Sequence, residues 1–140
     1  MLVACDVDGT IDANPEIMQF LASAIRKAGG KVAILTGLKG TSKITPADVA
    51  VKRAYLQELG FGAYDSLVVF PDNKDLPAAK ARWCRDHGAD LMIDNDRGNA
   101  QAAVSSCMVL VPWGTRVGKV KNGMQKALAT PSGETVTVLA

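Results

Sequence analysis

Five short apolar runs, four of them followed by a helical pattern, constrain this chain more than any other feature. The runs cover residues 2–5 (LVAC), 31–35 (KVAIL), 66–70 (SLVVF), 90–93 (DLMI) and 107–111 (CMVLV). They are nearly continuous rather than alternating, as strands covered on both faces should be. Residues 15–28 read as a helix, with Ile17, Phe20, Leu21, Ala24 and Ile25 at i, i+3, i+4 spacing. Pro15 suits its first turn and Gly29-Gly30 its end. A second helix starts at the cap candidate Thr45 and Pro46 and runs to about Leu59. A third begins near Asp75 or Pro77 and ends at Gly88, and a short fourth spans 99–105. Residues 119–129 offer a fifth, and 130–140 an edge strand or a tail. Alternating strands and helices predict a Rossmann-like three-layer α/β/α sandwich around a mostly parallel five-stranded sheet.

Composition narrows the class. At 140 residues the chain reads as one core domain over 1–140, large enough to bury a core without staples. A net charge of +2 argues for neither nucleic acid nor membrane. No run approaches the roughly 18 apolar residues of a span, and the N-terminus lacks the pattern of a signal peptide. Cys5, Cys84 and Cys107 have no metal-type spacing and read as small hydrophobes in a reducing cytoplasm. His87, the sole histidine, cannot build a histidine metal site.

Chemistry in an open α/β sheet gathers at the carboxyl ends of its strands. After the first strand come Asp6 and Asp8, and after the second Thr36 and Gly37. After the third come Asp72, Asn73 and Lys74, and after the fourth Asp94, Asn95 and Asp96. Carboxylates crowded together are costly unless a cation holds them. Oxygen ligands of this kind suit magnesium, which also accepts phosphate. Asp6 and Asp8, two apart in an extended segment, point the same way.

DVDGT after an apolar strand, AILTG and LMIDND together resemble the haloacid dehalogenase superfamily of phosphohydrolases, over about residues 2–111. The resemblance implies a magnesium-dependent phosphatase working through an aspartyl phosphate. In it Asp6 would be the nucleophile, and Asp8 the general acid and base with its carbonyl toward the metal. Thr36 would bond a phosphoryl oxygen, and Asp94 would secure the metal. Lys80, fourteen positions before Asp94, is preferred as the charge-balancing lysine, with Lys74 the alternative. Gly9, Thr10, Gly37 and Lys74 would approach the substrate. IDNDRGN departs from the family's IDDRxxN form by placing Asn95 where the second acid stands, as a weaker metal ligand.

Neither the 28 positions between Asp8 and Thr36 nor the stretch from Thr36 to Ser66 holds a cap domain. An open, capless site suits a nucleotide or macromolecular phosphorylated substrate, and the form weakly resembles the phosphatase half of polynucleotide kinases. The loop GLKGTSKI at residues 37–44 is a cationic flap candidate. Asp8 argues against a dehalogenase. Asn95 keeps open a catalytically weak scaffold that binds a phosphorylated partner.

Overall fold

The computed structural model describes residues 1–112 and the backbone of two short strands, 128–129 and 135–136. Five parallel strands form one sheet: β1 (Leu2–Cys5), β2 (Lys31–Leu38), β3 (Ser66–Pro71), β4 (Leu91–Ile93) and β5 (Met108–Leu110). Their order is β3-β2-β1-β4-β5, with every neighbouring pair parallel. The chain therefore lays β2 and β3 on one side of β1, then β4 and β5 on the other. That reversal leaves a crevice at the carboxyl ends of β1 and β4, where open α/β sheets place ligands. β6 (Leu128–Ala129) and β7 (Thr135–Val136) form a separate antiparallel pair.

Side chains alternate across the pleat, so each central strand feeds two cores. Val3, Cys5, Val32, Ile34 and Ile93 pack on Met18, Ala22 and Ile25 of α1 (Pro15–Lys27) and Leu56 of α2 (Pro46–Glu58). Ala4, Leu35 and Met92 pack on Cys84 of α3 (Leu76–His87) and Ala103 of α4 (Arg97–Ala103). The three-layer sandwich is the one the alternating pattern predicts. Each buried aliphatic side chain contributes about 1.5–3 kcal/mol relative to exposure.

Local chemistry sets the helix ends. Asn14 caps α1, accepting from the Ile17 amide at 3.3 Å, with Pro15 at the first helical position. Thr45 and Asp48 form a reciprocal capping box at α2, the Asp48 carboxylate accepting from the Thr45 amide at 2.7 Å. Gly88 ends α3 in the left-handed region at φ 64°.

Several sequence expectations shift. β2 continues to Leu38, so Thr36 pairs with Val69 inside the strand rather than following it. In α1 the face on the sheet is Met18, Ala22 and Ile25, while Ile17 and Phe20 are exposed. β5 lies at the sheet edge with Met108 and Leu110 exposed, so among the described residues it is not covered on both faces. The helix expected over 119–129 ends instead in strand at Leu128–Ala129, and its remainder lies outside the described residues, as do Trp113 and most of the 130–140 tail. His87 is exposed at the end of α3 and stacks on Trp83 at 4.1 Å. Among the described residues no helix is long and apolar enough to cross a membrane.

Candidate functional site

β1 delivers Asp6 to the crevice. Its amide continues the β1–β4 ladder, donating to the Ile93 carbonyl at 2.9 Å. The chain then makes one wide helical turn over Val7–Ile11, interrupted by the non-helical Asp8 and by Gly9 at φ 82°. A Cβ at Gly9 would collide with the Asn95 amide group, so the turn is closed to larger residues. The Asp12 carboxylate ties the turn down, accepting from the Gly9 amide and, at 3.1 Å, from the Tyr55 hydroxyl.

Lys80 is the centre of the site. It projects from α3 and is 1% exposed. Its ammonium group donates to Asp6 Oδ1 at 2.6 Å and to Asp94 Oδ2 at 2.8 Å. Burial works to lower the lysine pKa, but the charges and hydrogen bonds of the two carboxylates outweigh it and hold it above the ordinary value. Asp6 is pushed up to about 7, first by burial and further by the nearby charges of Asp94 and Asp8, which Lys80 only partly offsets. At the base of the pocket one ammonium group, Lys80, thus serves two buried carboxylates, Asp6 and Asp94.

Asp94 is fully buried and committed on both oxygens. Oδ2 accepts from Lys80 and, at 3.0 Å, from Asn99 Nδ2; Oδ1 accepts from the Asp96 amide at 2.9 Å. Asp8, further out, has a side chain 59% exposed. Its Oδ2 accepts from Thr36 Oγ1 at 3.2 Å and from Lys52 Nζ at 2.9 Å. Asn95 faces Thr10: the Thr10 hydroxyl donates to Asn95 Oδ1 at 3.2 Å, and the Asn95 backbone N–H donates to Thr10 Oγ1 at 3.0 Å.

Above these groups opens a cleft of about 300 Å³. It is lined by Asp6, Asp8, Gly37, Asp72, Asn73, Lys74, Leu76, Pro77, Lys80, Asp96 and Asn99. The structure therefore brings Asp6, Asp8, Gly37, Lys74 and Lys80 to one cavity. Thr36, Asp94, Asn95, Gly9 and Thr10 surround that set without lining the cleft. Of the two candidate lysines, Lys80 is the buried partner of Asp6, and Lys74 is exposed at the lining. In the direct metal-ligand set expected from the sequence, Asp94 spends its oxygens on Lys80, Asn99 and a backbone amide, and Asn95 is turned onto Thr10. Of the 37–44 loop, only Gly37 lines the cleft.

Sequence reasoning missed Lys52, Asn99 and Asp12. Lys52 carried one usable signal: it stands four residues before Leu56, on the same helical face, and Leu56 is core.

No family model and no curated protein matches the chain. Solved structures resemble it, two of them as follows. One is a protein from the universal stress protein family from Burkholderia pseudomallei, with 15% identity, TM-score 0.44, and coverage of 78% of this chain and 92% of that one. The other is a universal stress protein in complex with cAMP, with 13% identity, TM-score 0.47, and coverage of 79% of this chain and 95% of that one. Neither is a haloacid dehalogenase-type protein, and the family expectation is corrected on that finding. With it fall the magnesium-dependent phosphatase activity, the hydrolase class and the aspartyl-phosphate intermediate, together with the scaffold defined by that family. The physical reason is that a parallel sheet with this strand order gathers polar residues at its strand ends whatever chemistry it serves.

Proposed function

We propose that the cleft is a binding site for a phosphate-bearing ligand taken up together with a magnesium ion. One observation carries this reading: four carboxylates, Asp6, Asp8, Asp72 and Asp96, line the cleft against two ammonium groups, Lys74 and Lys80. Among the described residues, no three or more His, Cys, Asp or Glu side chains group to hold a metal by themselves. The reading therefore needs an ion that keeps waters and takes ligand phosphate as a further ligand. Asp6 and Asp8 would hold it, with Asp96 at the rim.

When bound, magnesium supplies the charge that lets carboxylate and phosphate oxygens share one site. The protein's own residues do the rest. Lys80 keeps Asp6 oriented and contributes a fixed positive charge at the base of the cleft. Asp94 and Asn99 hold Lys80 in place from behind. Lys74 at the lining offers an exposed ammonium to an incoming anion. A cleft of about 300 Å³ suits a small phosphorylated molecule.

The test is thermal denaturation of the protein with magnesium chloride, inorganic phosphate, or both. A rise in Tm that needs both and is absent in Asp6→Ala supports the reading. A Tm indifferent to both overturns it.

A further inference from the structure

Lys52 is nearly buried, at 8% exposure, in the middle of an otherwise ordinary surface helix. A lysine is rarely placed so without a partner. Its partner is Asp8 Oδ2, 2.9 Å away and 44 residues earlier in the chain. The same oxygen accepts from Thr36, itself fully buried in β2. One carboxylate oxygen is thus held from two elements, α2 and β2. The rest of the Asp8 side chain stays open to the cleft. Tyr55, on the next turn of α2, fixes the same strand-to-helix turn through Asp12.

We propose that Lys52 is a positioning residue for ligand binding. It holds Asp8 in the orientation the cleft requires and acts on the ligand only through Asp8. This rests on the phosphate-and-magnesium reading of the cleft. A role limited to seating α2 on the sheet would make Lys52 matter to stability and leave its effect independent of Asp8.

The experiment measures inorganic phosphate affinity at saturating magnesium by calorimetry. It uses the full chain and the variants Lys52→Met, Lys52→Arg, Asp8→Asn and the Lys52→Met/Asp8→Asn pair. The expected loss for Lys52→Met is about tenfold or more, the scale for removing a group that orients a ligand-holding side chain. Lys52→Arg, which keeps charge and reach, restores most of the affinity. In the Asp8→Asn background the Lys52→Met change costs nothing further. Wild-type binding with an undiminished Lys52→Met affinity overturns the proposal and spares the cleft reading. So does a Lys52→Met loss that persists unchanged beside Asp8→Asn. Absence of phosphate binding by the wild-type protein overturns the cleft reading and this proposal together. If Lys52→Met does not fold, Lys52→Gln in the same cycle decides.

Discussion

The ammonium group of Lys80 lies 2.6 Å from Asp6 Oδ1, with both side chains closed off from solvent. The pair joins α3 to the end of β1 across the sheet's point of reversal, and Asp94 at the end of β4 completes a buried triad. Breaking such a pair leaves an uncompensated charge in the interior. Lys80→Met should therefore destabilise the protein by about 3–5 kcal/mol in urea denaturation. A loss below about 1 kcal/mol would mean that the triad is not held as described.

Asp6 also sets a pH dependence. Its carboxyl is raised from 3.8 to about 7, chiefly by burial. The folded protein then binds this proton more tightly than the unfolded chain does. Its contribution to stability is fully present below about pH 4 and is lost as pH rises through about 7. In metal-free buffer, Asp6→Asn should remove this slope, because the titrating carboxyl is gone, while losing the ion pair with Lys80 lowers stability overall. Parallel pH–stability curves for the two proteins would contradict the assignment.

Gly9 is a backbone requirement of the site. Its φ of 82° and the collision of any Cβ with Asn95 leave no room for a side chain. Gly9→Ala should cost about 1–3 kcal/mol. It should also displace the Asp8 and Asp12 side chains, visible as amide shifts in both residues by NMR. An unchanged spectrum around the turn would show that the chain relaxes without consequence.

The capping box of α2 bears on the site because that helix carries Lys52 and Tyr55. Thr45→Ala removes the side-chain acceptor for the Asp48 amide. It should lower stability by about 0.5–2 kcal/mol, read by chemical denaturation. No change would mean that tertiary packing alone fixes the start of α2.

Much of the fold was legible because buried parallel strands are nearly continuous apolar runs, and these chains of Val, Ile and Leu stand out without any partner in view. Pro15 in the first turn of α1 and the cap Thr45 with Pro46 at α2 were legible from local sequence, whereas the Asn14 cap was not singled out. What escaped depends on the third dimension. Phe20 and Ile17 carry a helical period, yet the sheet takes the neighbouring face through Met18 and Ala22. β5 is apolar but lies at the edge. At the site, the strand-end acids were legible one by one, and Lys80 with them. Their contacts were not: Asp94 accepts from Lys80 and Asn99, and Asn95 accepts from Thr10. Lys52 escaped because a lone lysine on a helix usually faces water. The family resemblance rested on short motifs at strand ends, which this architecture can assemble for more than one chemistry.

The central claim is that the cleft couples magnesium to phosphate. Binding linkage makes that coupling reciprocal: each must tighten the other by the same factor. The most direct measurement is calorimetric titration of magnesium into the protein with and without saturating inorganic phosphate, repeated with Asp6→Ala. A magnesium affinity that rises at least about fivefold with phosphate, and is lost in Asp6→Ala, is the predicted result. Equal magnesium affinity with and without phosphate, or binding unaffected by Asp6→Ala, would contradict it.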